Sequence, residues 1–338
     1  MERLRVAVVG AGRLGGFHAA KLASLADVEV VAVVDPSPDA GRRVVESMSG
    51  TPVMFETLDA MFDGGVAVDA AVVATPTLFH ADATRRLLER SVHCLVEKPM
   101  TPTAREADEM TELARQRGLV LAAGHTEEFN PAWVTLLERL DLADRPRYIF
   151  CRRASDYTFR STDVGVVLDL MIHDLELVLR LTRRPPVRVE SQRWNVVGGH
   201  EDVATARLAF DDGCTAVLEA SRVRPEPERR MELWYTDVQV MLDFSARRYT
   251  LTRRSDALRR GELNFAECGG DPASQREWLL TKHLVRETDE SGAVDAIAEE
   301  DRDFVDAIRQ RRSPRTDGRA AADAIRLAEE ILQVKQLP

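Results

Sequence analysis

Up to about residue 124 the sequence alternates two patterns, and that alternation limits the possible folds more than any other feature. LRVAVVG, VEVVAVVD, DAAVVATP, VHCLVEK and GLVLAAGH are short Val- and Ala-rich runs bounded by turn residues, as strands buried on both faces should be. Between them lie stretches of helical period such as GGFHAAKLASL, DATRRLLERS and TAREADEMTELARQRG, the last opening on a Thr103-to-Glu106 capping pattern. Such alternation implies right-handed crossovers and a doubly wound parallel sheet, an α/β domain assigned to residues 1–124.

After residue 124 the rhythm changes. A helical segment from Asn130 to Leu142 precedes YIFCRRA, a helix follows over 166–181, and then come VRVESQRWNVV, ATARLAF, CTAVLEASRV, MELWYTD, VQVMLDF and RYTLTRR. Period-2 alternation with short connections predicts an open antiparallel sheet with one face less buried, hence an α+β domain over 125–338. That face is where a partner subunit could dock; a solvated face is the alternative. RETDESGAVDAIAEED reads as loop, and helices near 300–311 and 319–335 close the chain, the last free to pack back on the first domain.

The 338 residues suit two domains of roughly 100 to 200 residues each. A net charge of -10 lacks the basic field that phosphate backbones demand, so nucleic acid is excluded as a main partner. No stretch reaches the roughly 20 apolar residues of a membrane helix, and MERLRVAVVG enters a strand at once without a signal-peptide pattern. Cys94, Cys151, Cys214 and Cys268 form no CxxC pair, which suggests reduced buried thiols rather than zinc or disulfides. A cytoplasmic enzyme is the expectation.

The first strand ends in GAGRLG, with Gly10, Gly12 and Gly15 in G-x-G-x-x-G spacing. The first glycine allows the tight turn, the second lets a pyrophosphate meet the backbone, and the third lets helix pack on strand. Helix N-terminal amides favour the anion, so Gly10, Gly12, Arg13, Leu14 and Gly15 form a predicted cofactor turn in a Rossmann-type domain. Asp35 ends the second strand about 20 residues beyond Gly15, where a carboxylate accepts from the adenosine ribose. It should repel a 2'-phosphate, favouring NAD over NADP; Arg42 and Arg43, which would accept that phosphate, read as a solvated helix end. ATPTLFH and EKP end two further strand runs. Ligands bind beyond the carboxyl ends of strands in open α/β sheets, so Ala74, Thr75, Pro76, Glu97 and Lys98 would border the cofactor. A lysine there is commonly just exposed; beside a nicotinamide its ammonium would stabilise a developing alkoxide.

GAGRLG, Asp35, TPTxxH, EKP at 97–99 and a D-x-x-x-H helix in the second domain together resemble the Gfo/Idh/MocA oxidoreductases, which include glucose-fructose oxidoreductase and inositol dehydrogenases. RSPRTDGRAAADAIRLAEEIL resembles the family's closing helix, so the likeness spans nearly the whole chain. The resemblance implies an NAD(P)-dependent dehydrogenase of a sugar, cyclitol or nucleotide sugar, with Lys98, Asp169 and His173 as the catalytic set, His80 beside the nicotinamide, and a second-domain open sheet that mediates homodimers or homotetramers. GHTEEFNPA and TDVGVVLDLMIHDLE are similar to members that oxidise the 3-hydroxyl of UDP-linked N-acetyl sugars. Two positions depart from the pattern: Glu128 stands where an arginine is expected, and the glycine-rich entry to the catalytic helix is reduced to Gly165.

Helical spacing puts Asp169, His173, Glu176 and Arg180 on one stripe of a helix that is apolar over most of its girth. The bland alternative is an ordinary i,i+4 Asp-His pair. With a nicotinamide nearby, His173 suits a general base, Asp169 its orienter or a substrate ligand, and Lys98 an electrostatic stabiliser; Asp174 and Glu176 read as structural. His125 either lines the substrate cleft or is buried at a hinge, Asn130 joins the predicted substrate residues, and Arg160 would clamp a diphosphate. His18, His93, His200 and His283 read as structural, and no spacing suggests a metal. The competing function is a non-catalytic dinucleotide-binding sensor; a third is internal redox cycling on a tightly held NAD.

Overall fold

A computed structural model describes residues 2–48, 50–140, 145–159 and 163–336. By contact the chain divides into one unit of Met1–Phe129, Ser161–Glu176 and Asp295–Glu330, and another of Asn130–Arg160, Leu177–Val294 and Ile331–Pro338.

The first unit alternates β1 (Leu4–Val9), α1 (Arg13–Ser24), β2 (Val28–Val34), α2 (Pro38–Glu46), β3 (Val53–Phe55), α3 (Leu58–Asp63), β4 (Ala70–Val73), α4 (His80–Glu89), β5 (His93–Glu97), α5 (Ala104–Arg117) and β6 (Leu121–Gly124). The strands are parallel in the order β3-β2-β1-β4-β5-β6, the doubly wound order whose switch point lies between β1 and β4. Val6, Val8, Val72 and Leu95 are fully buried, as a sheet covered on both faces requires.

The second unit holds α6 (Pro131–Arg139), β7 (Tyr148–Ala154), β8 (Arg188–Trp194), β9 (Val203–Ala209), β10 (Thr215–Ser221), β11 (Glu228–Trp234), β12 (Val238–Asp243), β13 (Arg248–Arg254) and β14 (Leu284–Glu290). Between β7 and β8 runs α7 (Ile172–Thr182), whose residues up to Glu176 belong to the first unit and the rest to the second, and two short helices, α8 (Asp256–Arg260) and α9 (Pro272–Trp278), precede β14. The sheet order is β14-β13-β12-β11-β7-β10-β9-β8.

Three features correct the expectations from sequence. The second sheet is mixed rather than antiparallel, because β10 pairs with β7 in parallel while the other neighbours are antiparallel. Period-2 alternation is the same in either direction, so the pattern carries no sign of it. RETDESGAVDAIAEED is not simply loop: it contains most of β14, an edge strand held by its ladder to β13 and mostly exposed, so no apolar alternation marks it. Its last residues already belong to α10 (Ala296–Gln310), capped by Asp295, whose carboxylate accepts from the Ile297 and Ala298 amides.

Chain order and compact unit also part company. Residues beyond 125 return to the first unit through α10 and most of α11 (Gly318–Gln333). The physical reason is an open edge and an open core face. Phe304 and Val305 of α10 pack into the cluster of Val6, Val8, Leu22 and Leu95, while the Ala123 amide donates to Thr316 O beside β6. That contact covers a strand edge which would otherwise be unpaired.

Candidate active site

The switch point is built from the glycine turn and its neighbours. Gly10, at φ 98°, donates from its amide to Val34 O at 2.7 Å, and Ala74 donates to Val9 O at 2.7 Å. A Cβ on Gly10 would lie 2.5 Å from Ala74 O, and one on Gly15 would lie 1.8 Å from Gly10 O, so neither position tolerates a side chain. A Cβ on Gly12 would meet nothing within 4 Å, which leaves open ground beside the first turn of α1. Asp35 accepts from the Ala11 amide at 2.7 Å and the Ser37 amide at 2.8 Å, which fixes its carboxylate against the turn. Leu14 is 39% exposed, and the Arg13 guanidinium lies over the Phe17 ring. Arg42 pairs with Asp39 at an exposed i,i+3 position, solvated as expected but in the middle of α2 rather than at a helix end.

His80 is buried, with Nδ1 2.8 Å from Pro99 O and Nε2 2.7 Å from Thr75 O. The ring therefore ties the loop after β4 to the loop after β5, rather than presenting an open edge; burial lowers its pKa despite the two carbonyls.

Lys98 is the first residue past β5. Its Nζ donates to Asp169 Oδ1 at 2.8 Å and to Asp169 O at 2.6 Å, and the two side chains are 16% and 17% exposed. The expected single helix over 166–181 is in fact a π-helical turn, Val167–Met171, leading into α7. Such turns insert one residue into the helical ladder and are frequent at functional sites. Here it carries Asp169 to Lys98, while His173, two residues into α7, stays half-buried.

His125 follows β6 and is buried. Its ring stands edge-on to that of His173, centroids 6.3 Å apart, and its Nδ1 lies 3.3 Å from Glu176 Oε2. Burial, then the Lys98 ammonium, push its pKa down to about 4, so at neutral pH the ring is uncharged. His125 is thus a fully buried ring at the end of β6. Asn130 likewise turns inward: its side chain accepts from the Ala132 amide as the cap of α6 and donates to Phe244 O at 3.1 Å. Arg160 lies outside the described residues.

Glu97 differs most from its expected place beside the cofactor. Its carboxylate is buried, with Oε1 3.0 Å from His18 Nε2 and Oε2 accepting the Lys98 amide at 3.1 Å. His18 Nδ1 lies 2.7 Å from Asp301 Oδ1. Burial opposes charge on the His18 ring, but Asp301 and Glu97 outweigh it and hold the ring's pKa well above the ordinary histidine value. Burial pushes Asp301 and Glu300 up; Glu97 stays below the usual carboxylate range because His18 and Lys98 outweigh its burial. His18 and Asp301 escaped the sequence reading because they lie 283 residues apart, which no local spacing reveals.

Comparison with known proteins bears on this geometry. Residues 4–125 match the Gfo/Idh/MocA oxidoreductase family, NAD-binding Rossmann fold, and residues 142–240 match the C-terminal domain of the same family. The UDP-N-acetylglucosamine 3-dehydrogenase of Acidithiobacillus ferrooxidans is 33% identical over 332 residues, covering 98% of this chain and 97% of the relative.

The chain belongs to the Gfo/Idh/MocA oxidoreductase family.

The solved structure of that Acidithiobacillus ferrooxidans enzyme superposes with a TM-score of 0.84 at 32% identity, covering 99% of this chain and 98% of the other. A scyllo-inositol 2-dehydrogenase (NAD(+)) of Bacillus subtilis is 26% identical over 237 residues, 66% of this chain and 69% of the relative. This Gfo/Idh/MocA member is thus an oxidoreductase whose first unit is an NAD-binding Rossmann fold. Its residues fit the cofactor. The open ground at Gly12, the amides that begin α1 and the fixed carboxylate of Asp35 suit the pyrophosphate and ribose of a dinucleotide.

Proposed function

We propose that this oxidoreductase oxidises a secondary hydroxyl of a nucleotide-linked N-acetyl sugar, the 3-hydroxyl of UDP-N-acetylglucosamine being the first choice, with NAD. The observation that carries the reading is the Lys98–Asp169 pair at 2.8 Å on the helix that bears His173. The nucleotide-sugar choice is supported by the 33% identity, over nearly the full length of both chains, to the Acidithiobacillus ferrooxidans enzyme.

In this mechanism His173 takes the hydroxyl proton, a task suited to an imidazole with an ordinary pKa near 6.5. Lys98 offers its ammonium to the oxygen as negative charge develops there, and Asp169 holds that ammonium by side chain and main chain together. His125, neutral and buried beside His173, keeps a second positive charge away from the base. Bound NAD supplies the hydride acceptor. Mixing the protein with NAD and a panel of nucleotide sugars, free sugars and cyclitols, and following the reduced-nicotinamide band, tests the reading. Turnover with UDP-N-acetylglucosamine supports it; NAD binding without reduction by any panel member sinks it and leaves a sensor.

We also propose that the protein works in the cytoplasm as a homodimer or homotetramer through its eight-stranded sheet. Phe150, Val217, Trp234 and Met241 lie on the half-buried face of that sheet, with Trp234 45% and Met241 41% exposed. The four cysteines are buried free thiols, as a reducing compartment allows. Light scattering on Met241→Lys should show loss of the assembly; a monomeric parent protein contradicts the proposal.

A further inference from the structure

A buried chain of three side chains runs behind Lys98. Asp301 of α10, His18 of α1 and Glu97 of β5 join through contacts of 2.7 and 3.0 Å, with side-chain exposures of 0%, 0% and 6%. Carboxylates only accept, so both ring nitrogens of His18 act as donors. The far oxygen of Glu97 accepts the Lys98 amide, which lies beyond the last β5–β6 register pair, Glu97 with Gly124. Gly124 makes room for this: a Cβ there would sit 2.9 Å from Glu97 Oε2. Glu300 of α10 also faces the cluster and accepts from Thr126 Oγ1, and Lys98 is the nearby cation on β5's end.

A buried ionic cluster is a poor source of stability compared with apolar side chains of the same volume, because desolvation offsets most of the attraction. What this one does supply is position. We propose that His18 is a positioning residue for Lys98: by holding the Glu97 carboxylate against the Lys98 amide, it fixes the main chain from which the ammonium reaches Asp169. The inference rests on the proposed role of Lys98 above.

The test compares His18→Gln with His18→Asn in the full chain. Glutamine sets an amide nitrogen near the place of Nε2 and keeps a donor to Glu97; asparagine reaches only as far as Nδ1 and leaves Glu97 unheld. With the sugar substrate, kcat should fall about a hundredfold for His18→Asn and about tenfold or less for His18→Gln, since small misplacements of a catalytic group have effects of this order. The NAD dissociation constant, read without sugar by protein fluorescence, should stay within about threefold in both, because the glycine turn is untouched. Equal losses in the two variants, or losses that follow melting temperature rather than the Glu97 contact, overturn the proposal. Should His18→Asn not fold, Glu97→Gln carries the test: one carbonyl oxygen cannot serve both His18 and Lys98, so kcat drops while NAD binding holds, and an unchanged kcat overturns the idea. Lys98→Met separates the two layers. Full turnover in it removes the role of Lys98 itself, whereas an inactive Lys98→Met beside a fully active His18→Asn refutes only the positioning.

Discussion

The buried state of His125 makes a prediction that can be worked through in numbers. The folded ring titrates at about 4, and the unfolded ring near the ordinary 6.5, so only the unfolded chain takes up a proton between those values. Stability is therefore fully present above about pH 6.5 and is lost as pH falls toward 4. The gap of about 2.5 units, at about 1.4 kcal/mol each, gives a limit of about 3.5 kcal/mol, of which about 2.5 kcal/mol is reached at pH 4.5. No discount for solvent is due, since the residue is fully buried. The perturbation is His125→Leu, and the assay is urea unfolding of both proteins at about pH 7.5 and about pH 4.5. Glu300 and Asp301 titrate in both proteins and drop out of the difference. The parent should lose about 2.5 kcal/mol more than the variant on acidification. Parallel losses would mean that the ring is protonated or reaches water, and would return His125 to the substrate-facing role open from sequence.

His18 predicts the opposite limb. Its raised pKa stabilises the fold fully below about pH 6.5, and that contribution is lost as pH rises through the folded value, so melting temperatures should fall on the alkaline side in the parent and less in His18→Gln. Gly12→Ala should leave thermal stability nearly unchanged, because its Cβ meets no protein atom, yet weaken NAD binding about tenfold or more, about 1.4 kcal/mol; Gly15→Ala should not fold, and calorimetry with ligand titration checks both. Asp169→Asn should lower kcat about a hundredfold through Lys98, whereas Asp174→Asn, at a buried position, should lower melting temperature with kcat nearly kept; steady-state kinetics with thermal melts would show the reverse if the two carboxylates were misassigned.

Much of the first unit was legible because its demands are local. Gly15 is required by a contact within the turn, Gly10 by its positive φ as well as by the approach of Ala74, and Asp35 by amides in and next to that turn. Buried parallel strands also announce themselves as unbroken Val and Ala runs. Lys98 and Asp169 lie 71 residues apart, and only family resemblance joined them in advance. Glu97 turns away from the expected cofactor side because neighbours along an extended chain point to opposite sides, so with Lys98 facing the site Glu97 faces His18 in the interior. The π turn at Val167–Met171 has no periodic signature, since apolar residues surround it on most sides. The edge strand β14 and the β7–β10 pairing depend on backbone ladders that side-chain patterns do not encode. The return of α10 to the first unit answers needs created elsewhere, the uncovered core face and the open edge of β6.

In the proposed reaction NAD receives hydride from one particular carbon, with Lys98 and His173 serving its oxygen. The most direct measurement is mass analysis of the reduced cofactor formed from UDP-N-acetylglucosamine carrying deuterium at C3. The expected product is a reduced nicotinamide that has gained the deuterium, accompanied by a 3-keto sugar. Reduced cofactor without deuterium, or no reduction although NAD binds, would contradict it.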